Sequence, residues 1–202
     1  AMLLAAPNQW IHLKSGAAYD PDPSILVSKT IATDYCSRST CPNFEAFVYD
    51  IFEGDQDLIS YVQRAIGYSL TGLTSEQCLF ILIGDGANGK STFVNVISKL
   101  LGDYSKAAAS QTLVAKGSTS VGDDLVDLVG ARLIPVSETE EGEALAEAKI
   151  KQMTGGDVLK GRPLYWKYIQ FSINGKILRA TYSLPSINST DHGIWRRIQA
   201  IL

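Results

Sequence analysis

Residues 84–91 read Gly-Asp-Gly-Ala-Asn-Gly-Lys-Ser, a full match to the phosphate-binding pattern Gly-x-x-x-x-Gly-Lys-Ser/Thr. The apolar run 78–83 before them predicts a buried strand, and residues 91–102 after them predict a helix closed by glycine. Glycines let the backbone fold tightly, so that successive N–H groups point at phosphate oxygens, and the helix dipole adds to the attraction. This strand–loop–helix order predicts a nucleoside triphosphate site.

Two side chains of this loop have distinct expected roles. Lys90 can reach the β- and γ-phosphates of ATP, and the Ser91 hydroxyl can coordinate Mg2+. ATP and Mg2+ are therefore the predicted cofactors. The predicted ATP-binding residues are Gly84, Asp85, Gly86, Ala87, Asn88, Gly89, Lys90, Ser91 and Thr92.

The composition is that of an ordinary globular protein of 202 residues, with 46% hydrophobic and 19% charged residues. A net charge of −3 gives no global basic signature, so nucleic acid would have to bind a local basic patch. No apolar run approaches the roughly 20 residues that span a bilayer, which predicts no membrane contact. Three cysteines and two histidines lack metal-ligand spacing, which argues against zinc and predicts a reducing cytoplasm.

The first part of the chain, residues 1–73, is expected to be a small, mainly helical N-terminal appendage that begins with short strands. Those strands are predicted at 10–13 and 25–27. Two helices should follow, one over 44–52 with Asn43 as N-cap, and one that restarts at 54–55 and ends at Gly72.

The second part, residues 74–202, alternates strands and helices and is predicted to be an α/β P-loop ATPase domain. The predicted strands are 78–83, 131–137, 168–173, 176–181 and 198–202.

A second nucleotide signal lies in residues 132–141, where an apolar strand ends in acidic residues. P-loop ATPases place a carboxylate at such a point, near magnesium and the attacking water. Glu138 is the first acidic residue beyond the strand and is predicted to be catalytic and metal-binding, and Glu140 is a second catalytic candidate. The alternative is a solvated helix face around 144–153, which is the favoured interpretation for Glu141, Glu143 and Glu147.

Basic and aromatic residues alternate in the segment 160–168. Cations that hold phosphates, with rings that stack on bases, suit single-stranded nucleic acid. A β-hairpin with aromatic cross-strand packing and solvated lysines explains the same residues and is slightly favoured from them alone. The candidate nucleic-acid-binding residues are Lys160, Arg162, Trp166 and Lys167.

The adjacent arginines Arg196 and Arg197, near the end of the domain, are candidates for arginine fingers that act on a neighbouring subunit's γ-phosphate. Surface charge or an ion pair is the alternative.

In this order and spacing, the motifs closely resemble the superfamily 3 helicase domain of phage and plasmid primase–helicases, which belongs to the AAA+ ATPases. The loop 84–91 resembles the Walker A loop of that family and residues 137–142 its Walker B region. Residues 180–185 occupy the sensor 1 position, and 190–197 the arginine-finger region. The resemblance covers nearly the whole chain.

The resemblance implies a P-loop AAA+ type sheet with flanking helices, preceded by a small helical domain. It also implies a ring-forming motor, usually hexameric, that translocates on single-stranded or forked DNA with ATP bound between subunits. The hairpin before sensor 1 would then touch DNA, and Arg196 or Arg197 would be the finger. An upstream primase domain, the cytoplasm of a bacterial or phage-infected cell, and a C-terminal lid beyond this chain are further expectations.

One position departs from the family pattern, because Tyr182 stands where the family has an asparagine that orients the attacking water. A phenol offers a single hydroxyl and cannot present the same donor and acceptor pair. Two hypotheses follow: a helicase motor, or a hydrolysis-impaired, ATP-dependent DNA-binding or assembly module. A small-molecule kinase or GTPase is disfavoured, because it would leave the basic segment and the arginine pair unexplained.

Overall fold

The computed structural model describes residues 2–115, 123–136, 144–162, 167–187 and 190–201. The chain begins with a small antiparallel sheet in which strands β1, β2 and β3 pair in sequence order. Gly16, with φ of 71°, supplies the left-handed backbone that the turn between β2 and β3 requires. The three strands are β1 (Leu3–Ala5), β2 (Trp10–His12) and β3 (Ala17–Tyr19).

The strand predicted at 25–27 is wrong. These residues follow Pro23 in an irregular segment, and Leu26 is 97% exposed. A strand needs at least one face that packs against neighbours, and Leu26 has no such covering here.

Two helices follow, α1 (Pro42–Ile51) and α2 (Gln56–Ser69). The predicted N-cap at Asn43 is wrong, because Pro42 starts α1 with Cys41 as its N-cap. Proline fits the first turn, since its φ is helical and its missing N–H would have no partner there. The start of α2 is as predicted: the Asp55 carboxylate accepts hydrogen bonds from two first-turn amides, each at 3.0 Å. The helix ends at Ser69, earlier than the predicted Gly72.

The remaining elements build a four-stranded parallel sheet with the strand order β5–β8–β4–β9. Strands β6 and β7 form a separate antiparallel hairpin. The elements are β4 (Leu79–Ile83), α3 (Lys90–Leu101), α4 (Asp123–Val126), β5 (Leu133–Val136), α5 (Glu147–Gly155), β6 (Leu159–Gly161), β7 (Ile169–Phe171), β8 (Lys176–Thr181), α6 (His192–Trp195) and β9 (Ile198–Ile201).

Strands β4 and β8 lie in the middle of the sheet and are buried along most of their length, which is why β4 is continuously apolar. Strand β8 combines apolar residues with the buried polar residues Lys176, Arg179 and Thr181. On one face, Phe93 and Ile97 of α3 pack with Phe80 of β4 and with Phe52 and Val62 from the α1–α2 region. A second core covers the other face. The N-terminal elements thus share a core with the sheet, and the division at residue 73 stays a prediction.

Each strand predicted between 78 and 202 is present; the bounds of the strand 176–181 are as predicted, and the others differ by at most two residues at either end. The helix predicted after the loop is α3, and Gly102, with φ of 52°, ends it. The acidic helix begins at Glu147, later than predicted. The predicted fold class is confirmed. In the part of the chain that the structure describes, no helix combines the length and apolarity that crossing a membrane requires.

Candidate nucleotide and nucleic-acid sites

The loop 84–89 joins the carboxyl end of β4 to the first turn of α3, so it lies at the carboxyl edge of the parallel sheet. Open α/β sheets bind ligands at this edge. Gly89 is the N-cap of α3, with φ of 86°, and has no side chain to cap the first-turn amides. The Lys90 amide donates a long hydrogen bond of 3.5 Å to Asn88 Oδ1. The positive end of the helix dipole faces the loop and attracts an anion.

Lys90 is the one charged side chain that the loop folds around. The residue is 9% exposed, and its Nζ donates hydrogen bonds to Gly84 O (2.5 Å), Asp85 O (2.9 Å) and Asn88 Oδ1 (2.8 Å). All three acceptors belong to the loop itself and carry no net charge. An ammonium group in this position, next to a helix N-terminus, fits the phosphates of a nucleotide.

Helix α1 packs against the loop, a contact that the sequence patterns did not reveal. A Cβ atom added to Gly89 would lie 2.6 Å from Ile51 Cγ2 and 3.2 Å from Phe47 Cε2. Glycine is therefore required twice at this position, for its left-handed backbone and for the close approach of α1. The apolar face of α1 supports the phosphate loop from behind.

A cavity of about 780 Å3 opens beside the loop, between α3 and the carboxyl ends of β5 and β8. It is of the size that small-molecule sites commonly have. Ser91 and Asn95 of α3 line one side, and Val136 and Tyr182 line the other. The Tyr182 ring is half exposed, and its centroid lies 5.2 Å from Lys90 Nζ, a cation–π distance. The structure thus places Ser91 and Tyr182 on the walls of one cavity, with Lys90 beside the Tyr182 ring.

The two predicted acidic residues, Glu138 and Glu140, lie outside the described residues. Strand β5, which leads toward them, ends at Val136 on the wall of the same cavity.

The two arginines have different surroundings. Arg197 is buried, and its guanidinium donates to Thr154 Oγ1 (3.1 Å), Gly193 O (2.5 Å) and Gln77 Oε1 (3.1 Å). Burial and the neighbouring charge of Arg196 lower the pKa of Arg197, although a guanidinium remains charged at neutral pH. Arg196 is exposed and donates to the same Gln77 oxygen.

Both arginines lie at the amino end of β9, and the phosphate loop lies at the carboxyl end of β4. The two strands are parallel neighbours, with Leu79 paired to Ile198. Five strand residues, about 16 Å at about 3.3 Å per residue, therefore separate the arginines from the loop of the same chain.

The β6–β7 hairpin carries the basic residues that the sequence singled out. Lys160, Arg162 and Lys167 are exposed, and Trp166 lies outside the described residues. Lys160 Nζ and Arg162 Cζ lie 5.3 and 5.6 Å from the centroid of the Tyr168 ring, which is 61% exposed. The hairpin therefore presents the exposed Tyr168 ring with two cations beside it, Lys160 and Arg162. Tyr168 joins the candidate nucleic-acid-binding residues.

Comparison with known proteins shows what this chain is similar to. Residues 1–53 match the family described as D5 N terminal like. A provisionally named helicase of Acanthamoeba polyphaga mimivirus is 30% identical over 205 residues, a match that covers 98% of this chain and 21% of the viral protein. A provisionally named primase of African swine fever virus is 24% identical and a provisionally named helicase of Frog virus 3 is 25% identical. These matches cover 70% and 77% of this chain, and 15% and 16% of the respective relatives.

The fold is also similar to solved structures of the C-terminal region of NrS-1. One of them has a TM-score of 0.61 at 14% identity, over 98% of this chain and 45% of the other. A second has a TM-score of 0.62 at 13% identity. With the viral relatives, this confirms the resemblance of the chain to superfamily 3 primase–helicases. It spans about 15% to 21% of the length of the curated relatives named above.

Proposed function

We propose that this chain is the ATPase core of a replicative DNA helicase or translocase, which hydrolyses ATP between the subunits of a ring. The names of its relatives support a replication helicase-like role in the broad sense. The carrying observation is that the phosphate loop and the exposed Arg196 lie at opposite ends of neighbouring parallel strands. One copy of the chain therefore cannot bring its own loop and its own Arg196 to the same nucleotide. A second copy has to supply the arginine.

In the proposed site, the chain's own groups bind and orient the nucleotide. The first-turn amides of α3 and the Lys90 ammonium hold the phosphates, and the exposed Ser91 hydroxyl supplies a ligand for Mg2+. ATP supplies the phosphoryl group, whose transfer provides the free energy for movement. Glu138 is the proposed residue that orients the attacking water. Arg196 of the neighbouring subunit stabilises the charge that develops on the transferred group.

Arg196 fits the proposed finger better than Arg197. A finger has to leave its own subunit's surface and reach a phosphate, which an exposed guanidinium can do. Arg197 is committed to three acceptors inside its own chain. Breaking those bonds would leave the buried Thr154 hydroxyl and the half-buried Gly193 carbonyl without these donors.

The β6–β7 hairpin is the proposed contact with DNA. Lys160, Arg162 and Lys167 would neutralise phosphates, and the exposed Tyr168 ring would stack on a base. A ring of six subunits and an upstream primase domain belong to the same proposal. They are supported by the family and by the relative named as a primase.

The test is ATP hydrolysis with and without single-stranded DNA, in this chain and in its full-length parent. Turnover stimulated by DNA and lost in Lys90→Ala would support the motor, and Lys14→Ala provides the matched control at a remote exposed lysine. Tyr168→Ala should lose the stimulation while Tyr168→Phe keeps it, because stacking requires the ring and not the hydroxyl. Unchanged ATP affinity in Lys90→Ala, measured by calorimetry, would refute the assignment of the site.

A second candidate function is an ATP-dependent DNA-binding or assembly module in which hydrolysis is slow. Tyr182 favours it, since its ring lies beside Lys90 where the family pattern has the water-orienting asparagine. ATP-dependent DNA binding without measurable turnover, in both the chain and its parent, would decide for this module.

A further inference from the structure

Gln77 connects the arginine pair to the strand that carries the phosphate loop. It lies two residues before the start of β4. Its side-chain Oε1 accepts hydrogen bonds from Nη2 of Arg196 and from Nη2 of Arg197. A single amide oxygen therefore holds both guanidinium groups at the amino end of the sheet.

This shared acceptor has a different effect on each arginine. Arg197 is already fixed by Thr154 and by the Gly193 carbonyl, so Gln77 adds a third bond to a buried group. Arg196 is exposed, and a free arginine side chain samples many rotamers. Ordering such a side chain costs rotamer entropy. A hydrogen bond to Gln77 orders the Arg196 side chain before it contacts the neighbouring subunit.

The backbone at Gln77 is strained. Its φ is 50°, in the left-handed region that non-glycine residues rarely adopt. Such conformations are energetically unfavourable and cluster at functional sites. Here the backbone N–H is bonded to Thr74 O at 3.0 Å, while the side chain reaches the arginines.

The segment that follows Gln77 is also fixed to β9. Leu79, the first residue of β4, donates its amide to Arg197 O at 2.7 Å and pairs with Ile198 of β9. A displacement of β4 along its axis would therefore act directly on the turn that holds Arg196. Strand β4 ends at the loop 84–89, which grips the chain's own nucleotide in the proposed function.

We propose that Gln77 is a positioning residue that orders Arg196 for action on the neighbouring subunit's nucleotide. The inference rests on the proposed function and deepens it by naming what holds the finger. Strand β4 then links two sites: its carboxyl end carries the subunit's own phosphate loop, and its amino end carries the support of the arginine that serves the next subunit.

The test is a double-mutant cycle between Gln77 and Arg196, with ATP turnover as the readout. Gln77→Gly removes the amide and suits a left-handed backbone, so the variant should fold. We expect kcat to fall about 10- to 100-fold, as it does when a catalytic group is misplaced by about 1 Å, with KM for ATP within about twofold. In an Arg196→Ala background, Gln77→Gly should have no further effect on kcat. Gln63→Ala, at an exposed glutamine of α2, is the matched control and should match the unmodified chain.

Two results would overturn the inference. An equal loss of kcat in both backgrounds would mean that Gln77 acts through folding or through Arg197. An unchanged kcat in Gln77→Gly would mean that Arg196 needs no support.

A second measurement does not depend on ATP turnover. It therefore separates failure of this inference from failure of the proposed function. The 15N order parameter of the Arg196 Nε–H should fall below about 0.6 in Gln77→Gly, the value of flexible groups. Mobility that is equal in both proteins would refute the positioning role. Absence of DNA-stimulated turnover in the unmodified parent would refute the motor and leave the ordering measurement valid.

Discussion

The two ends of the central sheet use the same interaction for different purposes. At the carboxyl end, Lys90 is bonded to oxygens of its own loop, at most six residues away in sequence. At the amino end, Lys176 of β8 and Arg132 before β5 are bonded to backbone carbonyls 62 to 129 residues away, except for one bond from Lys176 to Asn174. At both ends a buried or half-buried cation is surrounded by neutral oxygens.

The two ends of the sheet differ in which parts of the protein would move if these hydrogen bonds were replaced by others. Residues 85–88 of the loop are exposed, so the acceptors of Lys90 can give way to phosphate oxygens at small cost. The acceptors of Arg132 are Leu3 O and Leu70 O, and its guanidinium also lies 4.2 Å from the centroid of the Tyr104 ring. Releasing them would detach β1 and the end of α2 from the sheet. Local acceptors suit a binding site, and distant acceptors suit an anchor.

The largest expected effect separates the two arginines at the amino end. Arg196→Ala should lower kcat of the assembled protein about 10³- to 10⁵-fold, the usual contribution of a finger, and leave stability unchanged. Arg197→Ala should destabilise the fold by about 2–3 kcal/mol, because it leaves buried acceptors without charged donors. Turnover and urea unfolding of both variants decide the assignment. Loss of stability in Arg196→Ala and not in Arg197→Ala would reverse it.

The next effect concerns the anchor. Arg132→Met should lower the free energy of unfolding by about 3 kcal/mol, from two charged hydrogen bonds and one cation–π contact. MgATP affinity should stay within about twofold, since Lys90 is at the other end of the sheet. Urea unfolding and calorimetry measure the two quantities, with Arg38→Met at an exposed site as control. A large loss of ATP affinity in the still-folded variant would contradict the separation of the two ends.

A smaller effect depends on pH. Burial lowers the pKa of Lys176 to about 7, against 10.5 for an ordinary lysine, and the charge of Arg132 contributes in the same direction. Between these values the unfolded chain binds more protons than the folded one, so stability should rise with pH, by about 2 kcal/mol from pH 7 to pH 9. The measurement is urea unfolding at both pH values, compared with Lys176→Met, which should lack this rise. A constant difference between the two proteins would show that the carbonyls of Thr71 and Leu73 keep the ammonium charged.

The smallest expected effect sharpens the comparison at the carboxyl end. Tyr182→Asn should raise kcat about tenfold, if the phenol beside Lys90 limits the orientation of water, since one amide offers both a donor and an acceptor. Tyr182→Phe keeps the ring and removes the hydroxyl, so it should not show the gain. Single-turnover hydrolysis is the suitable measurement. Equal or lower turnover in Tyr182→Asn would show that Tyr182 does not restrain hydrolysis.

Local patterns were sufficient for much of the fold. The loop 84–91, the apolar run of β4 and the alternation of strands and helices after residue 74 predicted an α/β sheet with a phosphate site, because glycine geometry and strand burial are encoded by neighbouring residues. Predictions failed where local chemistry left a choice. Pro42 rather than Asn43 starts helix α1. Residues 25–27 include β-branched residues, but a strand also needs a partner strand, and these residues lack one.

What the sequence determined by itself is therefore the strands of the parallel sheet, the longer helices and the loop that defines the nucleotide site. The tertiary structure alone decided which of two adjacent arginines is buried, that Gln77 holds both, and that Ile51 supports Gly89. The reason is physical: the contacts of Gln77 with the arginines and of Ile51 with Gly89 join residues at least 38 positions apart in sequence. Their distances depend on strand order and helix packing, which no local periodicity encodes.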